Sequence, residues 1–187
     1  MKRYTLSLSL ILLAATSPGW AADDAYKAFV TEKVAVWMAK PLPQAALAAG
    51  NEAHAALTEE DVSGLDAQWR DQIAASDGAL ITQVLSGTTS DYLRQIVDES
   101  NGVIAEIILM DKRGLNAAVS VVTSDYWQGD EDKFQKTFGQ GVGAIHVSAV
   151  ELDESSGIYV VQVSVPVVSA LGELVGAATF SLDAERL

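Results

Sequence analysis

The feature of this sequence that most constrains its fold is a change in apolar periodicity at Val103. Before that residue, apolar side chains recur at helical spacing. The leading run consists of Tyr26, Phe29, Val30, Val34, Trp37 and Met38. After Val103, segments rich in Val and Ile are separated by turns that contain glycine, which is typical of antiparallel strands. The change predicts one α+β domain, with helices in residues 22–102 and a sheet in residues 103–187.

Capping and stop signals divide the first half into several helices. The segment Gln44–Leu57 is rich in alanine and has strong helix propensity. Thr58 can accept a hydrogen bond from the backbone N–H three residues later, and the acidic residues that follow suit the positive end of the helix dipole. A second cap, at Thr89 or Ser90, predicts a last helix that ends near Asn101.

The second half predicts five strands in an antiparallel meander. A hairpin joins Val103–Met110 to Leu115–Val122, and residues 123–138 then form a polar and aromatic linker with a short acidic helix. The three closing strands are predicted at Ala144–Leu152, Ile158–Val168 and Leu174–Leu182.

The first 21 residues predict a signal peptide. Lys2 and Arg3 precede an apolar run, Leu6–Ala15, that is short for a membrane span. Small residues at Gly19 and Ala21 place the cleavage after Ala21, and an uncleaved N-terminal anchor is the alternative. Since Lys2 and Arg3 leave with the peptide, cleavage lowers the net charge from −13 to −15. We therefore expect export to the periplasm of a Gram-negative bacterium.

Composition excludes several classes of partner and stabilising bond. With 25 Asp and Glu against 12 Lys and Arg, the chain lacks the cations that nucleic acid or anionic lipid would need. It has no cysteine, so a protein exported without disulfides must be stabilised by packing. No run after Ala22 approaches the length of a membrane helix.

Motifs for catalysis are missing from the sequence. The two histidines, His54 and His146, lie far apart in the chain, and there is no nucleophile elbow, phosphate-binding glycine loop or His-Glu-x-x-His motif. The acidic run Asp130–Asp132 suits a helix start and lacks the ligand spacing of an EF-hand, with divalent-cation binding as the alternative. We therefore predict that the protein is not an enzyme and has no cofactor.

Three pieces of the second half occur in a characteristic order. They are the hairpin Ile108–Gly114, the linker Thr123–Asp130, and a closing pair formed by Val163–Val167 and Gly172–Ala177. With the long leading helix, they resemble the Cache (PDC, extracellular PAS-like) sensor domain family over residues 103–187. The resemblance implies a long N-terminal helix and a helical segment, followed by a five-stranded antiparallel sheet with a short inserted helix.

The same resemblance implies a function. Cache domains usually sit between two membrane helices of a chemoreceptor, histidine kinase or diguanylate cyclase, and they bind small molecules such as amino acids or short carboxylates. No second membrane helix follows in this sequence, so we expect a soluble periplasmic sensor that reports its ligand to a membrane-bound signalling protein. A homodimer through the leading helix is left open. The alternative is a ligand-free protein-interaction module whose helical half, around Gln44–Ile73, is the docking surface.

The resemblance places the ligand site at the linker above the sheet. Tyr126 and Trp127 would supply flat apolar walls, and Ser124, Asp125 or Lys133 would hold the polar end of the ligand. Lys133 would favour an anionic group. The alternative is that the two aromatic side chains plug one end of the domain.

Three residues on the predicted strands are further candidates. Gln162 and Ser164 share a face by the period of two and would line the same cavity. Tyr159, Val161, Val163 and Val165 would face the opposite layer, and a slip of one residue in register would reverse both assignments. His146 points opposite to Ile145, and a single strand histidine is more often structural or exposed than a ligand contact.

Overall fold

A computed structural model describes residues 18–153 and 157–186. Most of the predicted signal peptide, residues 1–17, lies outside the described residues. The helices are α1 (Pro18–Met38), α2 (Pro41–Ala53), α3 (Glu59–Ala75), α4 (Ala79–Leu85), α5 (Thr88–Glu99) and α6 (Asp132–Gln135). The strands are β1 (Ile104–Met110), β2 (Asn116–Val119), β3 (His146–Val147), β4 (Glu151–Asp153), β5 (Ile158–Val168) and β6 (Leu174–Asp183). The predicted α+β class is confirmed.

The strands form one six-stranded antiparallel sheet in which the first and last strands are neighbours. Its order is β2-β1-β6-β5-β3, and β4 also pairs with β5. The predicted meander is therefore wrong in its strand order, because the linker after β2 crosses the sheet and delivers β3 to the far edge. The predicted strand Ala144–Leu152 is interrupted, and its two ends, β3 and β4, pair with successive parts of β5.

The two faces of the sheet are covered by different parts of the chain. On the first face, α1, α2 and α5 pack against alternate residues of the central strands, including Ile107, Val163 and Phe180. On the second face, α3, α4 and the linker after β2 pack against Ile108 and Met110. Because side chains alternate along a strand, neighbours in sequence such as Ile107 and Ile108 enter different cores.

One of the two predicted helix caps is confirmed. Thr58 Oγ1 accepts a hydrogen bond from the Asp61 backbone N–H at 3.2 Å, and the Asp61 carboxylate accepts one from the Thr58 N–H at 2.8 Å. The predicted cap at Thr89 or Ser90 is wrong, since α5 begins after Gly87. The Ser90 hydroxyl instead donates to Val84 O and accepts from the Val119 N–H, which ties α5 to β2.

Candidate functional site

Three polar side chains lie side by side across the second face of the sheet. Glu106 of β1 pairs with Ser181 of β6, and Ser181 pairs with Gln162 of β5. Residues directly opposite each other on neighbouring strands project to the same side, so the three form one row. The Ser181 hydroxyl donates to Glu106 Oε2 at 3.1 Å. We call these residues the polar row.

The polar row lines a cavity of about 680 Å³ between the sheet, α3 and the linker. That volume falls in the range of pockets for small organic ligands. Polar side chains from the linker and the edge strand complete one wall: Ser124, Gln128, Lys133 and Asp153. Apolar side chains form the rest: Ile73, Ile108, Val121, Val122, Leu152 and Val160. The cavity therefore offers a polar region beside an apolar one.

A β-bulge opens this end of the sheet. Ile104 pairs with Leu182 and Glu106 pairs with Ser181, so Ala105 is an extra residue in β1. A bulge bends its strand and redirects the side chains beside it. Ala105 and Glu106 both line the cavity, although they are adjacent in sequence. The bulge thus places a small side chain and a carboxylate on the same wall.

The carboxyl group of Glu106 is held in an unfavourable environment for its charge. Burial raises the pKa of Glu106, and the negative charges of Asp153 and Glu131 act in the same direction. Lys133 and the hydrogen bond from Ser181 act in the opposite direction without cancelling the effect of burial. A cation that enters the cavity and pairs with Glu106 therefore offsets the free-energy cost of burying its charge.

Lys133 is the cation of the polar wall, and protein groups already bind its ammonium. Nζ lies 3.0 Å from Glu131 Oε2 and donates to Gln128 Oε1, also at 3.0 Å. Its side chain is only 11% exposed. The interpretation that Lys133 favours an anionic ligand group therefore has to account for a lysine that is already neutralised by Glu131.

Three of the predicted site residues come together in the cavity, and they come from separate parts of the chain. Ser124 and Lys133 belong to the linker, and Gln162 belongs to β5. The predicted face of Gln162 and Ser164 is confirmed, because Val161 and Val163 lie in the core on the opposite face. The binding role of these residues stays a prediction.

Three other predicted residues lie outside the cavity lining. Tyr126 is buried against Trp69, with ring centroids 5.4 Å apart, and Trp127 donates through Nε1 to Arg113 O at 2.8 Å. Burial, with the nearby charge of Asp111, raises the pKa of Tyr126 to about 12. Asp125 forms an ion pair with Arg70 on α3. These positions favour the alternative in which the aromatic side chains plug the domain.

The last two predicted residues, Ser164 and His146, lie opposite each other on β5 and β3, and Ser164 is two residues along β5 from Gln162. Ser164 is fully buried and its hydroxyl shares a hydrogen bond of 2.9 Å with Thr179. His146 is its partner across β3 and β5. Burial lowers the pKa of His146, and the positive charge of Lys136 adds to the shift. Neither residue lines the cavity, so the structure does not bring them to the other candidates.

Sequence reasoning missed Glu106 and Ser181, which lie at the centre of the site. A glutamate inside the apolar run Ile104–Met110 was a signal, since a charged residue on a buried strand needs an explanation. Its partners could not be read from the chain, because β1 and β6 are far apart in sequence and no local turn sets their register.

Several solved structures resemble this chain at low sequence identity. No family model and no curated protein matches this sequence. The ligand-binding domain of the Campylobacter jejuni chemoreceptor Tlp3, in complex with L-norvaline, is 16% identical with a TM-score of 0.48. The match covers 88% of this chain and 54% of that one. The sensor domain of the V. cholerae histidine kinase DctB is 17% identical with a TM-score of 0.38, over 85% of this chain and 57% of that one.

This chain thus spans little more than half the length of those two solved structures. At these TM-scores the likeness carries no functional assignment. The elements follow the order that the sequence resemblance implies, with a long leading helix, two strands and a linker with a short helix, but four strands close the chain where three were expected.

None of the helices in residues 18–153 and 157–186 is long and apolar enough to span a membrane. The same ranges contain no group of three or more His, Cys, Asp or Glu side chains arranged to hold a metal ion.

Proposed function

We propose that this protein is a periplasmic sensor domain that binds a small metabolite in the cavity above the polar row. The observation that carries the proposal is the polar row itself, in which Glu106, Ser181 and Gln162 line a cavity that also has an apolar wall. Ligand-binding pockets are typically apolar with a few placed polar groups, and this cavity has that composition. The resemblance to Cache domains supports the same assignment and suggests a ligand of the size of an amino acid or a short carboxylate.

The rim of the cavity offers a route by which binding could be reported. Ser124 lines the cavity and donates to Asp125 at 2.7 Å, and Asp125 pairs with Arg70 on α3. Ile73, one turn further along α3, lines the cavity directly. A ligand that orders the linker would therefore favour one position of α3, and a membrane-bound signalling partner would read the surface of that helix as a shift in population.

The test is a thermal-shift screen against amino acids, short carboxylates and polyamines, followed by calorimetry on the compounds that respond. A ligand that binds only the folded state must raise the melting temperature. The variant Ala105→Leu adds bulk to the cavity wall, so we expect it to abolish the shift. Ala48→Leu makes the same change at an exposed position of α2 and should leave the shift intact.

Two results would contradict the proposal. One is a flat response across the whole library, which would favour the interaction module without a ligand. The other is a shift that survives Ala105→Leu unchanged, because the ligand would then bind elsewhere. The melting temperature of each variant without ligand confirms that it is folded.

A further inference from the structure

The polar wall of the cavity carries more acidic than basic groups. Glu106, Glu151 and Asp153 line it, and among the described lining residues Lys133 is the one cation. Glu131 adds a fourth carboxylate through its ion pair with Lys133. A confined space with this balance of charge attracts cations and repels anions.

Lys133 is poorly placed to bind an anionic ligand. Its ammonium is bound by Glu131 and Gln128, both at 3.0 Å. A ligand carboxylate would have to displace one of them, and it would meet the repulsion of Glu106 and Asp153 as well. Since like charges at close range cost free energy, the site disfavours a carboxylate.

Unlike Lys133, Glu106 has no ion-pair partner among the described residues. In the described part of the chain, Ser181 supplies its one hydrogen bond, to Oε2, and no Lys, Arg or His lies within ion-pair distance. Oε1 is left for a ligand. A partly buried carboxylate without a paired cation is costly, and burial raises its pKa for that reason. A cation that binds Glu106 would remove the free-energy cost of this unpaired charge.

The polar row has the shape to receive an ammonium group. Neighbouring strands lie about 4.8 Å apart, so Glu106 and Gln162, two strands apart, flank the shorter Ser181 between them. An ammonium above Ser181 could donate to Glu106 Oε1, to the Gln162 amide oxygen and to the Ser181 oxygen. That number of acceptors equals its three N–H donors.

Building on the function proposed above, we propose that the cavity recognises a small organic ammonium ion: a primary amine with a short branched apolar substituent and no carboxylate. The ammonium binds Glu106 and Gln162, and the substituent packs on Ile108 and Val160. The charged hydrogen bond to Glu106 provides most of the selectivity, because such bonds are stronger than neutral ones.

A set of three matched compounds tests the proposal by calorimetry at neutral pH. They are 3-methylbutylamine, L-leucine and 4-methylpentanoate, which share one branched substituent and differ in carrying the amine, both charged groups or the carboxylate. We expect 3-methylbutylamine to bind more tightly than L-leucine, and 4-methylpentanoate not to bind. Tighter binding of either carboxylate compound, or no binding of the amine up to millimolar concentration, would overturn the inference.

Variants locate the amine in the cavity. Glu106→Gln removes the charge and keeps an acceptor for Ser181, and it should weaken amine binding by about tenfold or more. Glu52→Gln makes the same change of net charge at an exposed position of α2 and should leave affinity unchanged. Lys133→Gln removes the competing cation and should preserve or strengthen amine binding. Equal effects of Glu106→Gln and Glu52→Gln, or loss of binding in Lys133→Gln, would contradict the assignment.

Failure of this inference can be told apart from failure of the proposed function. If carboxylates or neutral compounds raise the melting temperature and Ala105→Leu abolishes their effect, the cavity is a ligand site and only the ammonium assignment is wrong. A flat response to every compound, the amine included, removes both.

Discussion

Arg70 on helix α3 lies 3.0 Å from Asp125 at the rim of the cavity. The same guanidinium also pairs with Asp66, one turn earlier on α3. Asp66 Oδ1 in turn accepts hydrogen bonds from the backbone N–H groups of Tyr126 and Trp127, at 2.9 and 3.0 Å. The linker is therefore bound to α3 through both its backbone and a side chain, and the two are expected to move together.

We expect Asp66→Ala to weaken the contact between the linker and α3 and to destabilise the protein. Asp66 is 7% exposed, and its removal leaves two backbone N–H groups without their acceptor. We expect the free energy of unfolding to fall by about 2–4 kcal/mol, measured by urea denaturation. Asp71→Ala removes an exposed carboxylate from the same helix and should change stability little. Similar losses in both variants would mean that Asp66 contributes only its charge.

Trp127→Ala separates the two interpretations of the linker aromatics. Trp127 lies outside the cavity lining and its Nε1 donates to Arg113 O. We therefore expect a loss of about 1–3 kcal/mol of stability, with ligand affinity within about twofold of the parent protein. Gln162→Ala should show the reverse pattern, a small change in stability and a clear loss of affinity. A large loss of affinity in Trp127→Ala with unchanged stability would restore Trp127 as a ligand contact.

Local sequence signals were sufficient for the parts of the fold that local interactions determine. The change of period at Val103 lies next to the observed start of β1 at Ile104, and the Thr58 cap forms as its spacing predicts. The shared face of Gln162 and Ser164 follows from the period of two, which holds along β5 from Val160 to Val167. Each of these features depends on residues that are close together in the chain.

The centre of the site depends on contacts that are distant in sequence. Glu106 meets Ser181 only because β1 and β6 pair, and it faces the cavity beside Ala105 only because of a bulge in that pairing. The ligand site was predicted at the linker instead, because its polar and aromatic composition is typical of a binding loop. Its buried aromatic side chains, Tyr126 and Phe134, belong to the core on the second face of the sheet, where Tyr126 stacks on Trp69 of α3.

Asp111→Ala should be among the more damaging single changes in the described part of the chain. Asp111 is fully buried, and Oδ1 accepts from the Arg113 and Leu115 N–H groups at 2.8 and 3.1 Å. Oδ2 lies 2.5 Å from His54 Nδ1. The side chain thus organises the turn between β1 and β2 and binds it to His54 at the C-terminal end of α2.

Since three hydrogen bonds are lost, we expect Asp111→Ala to lower the free energy of unfolding by about 3 kcal/mol in urea denaturation. Asp77→Ala, in the exposed connection after α3, is the matched control and should be close to neutral. A loss below about 1 kcal/mol in Asp111→Ala would show that the turn is held by its backbone alone.

The pKa of Glu106 predicts how stability depends on pH. Burial raises the pKa of Glu106 in the folded protein above its ordinary value of 4.5, which the unfolded chain regains. Between those two pKa values the folded state keeps a proton that the unfolded state releases, so the free energy of unfolding falls as pH rises through this window. Below the window both states are protonated, and above it the folded protein bears the full cost of the buried charge.

Glu106→Gln does not titrate at this position and keeps the hydrogen bond from Ser181, so it should be more stable than the parent protein at neutral pH. Its advantage should shrink as pH falls and disappear below about pH 4. Urea denaturation of both proteins across this range measures the difference, with Glu52→Gln as the control for net charge. Saturating 3-methylbutylamine should reduce or reverse the advantage, because the amine pairs with the charge that glutamine lacks. A parent protein that is more stable than Glu106→Gln at neutral pH without ligand would mean that the described residues already compensate the carboxylate.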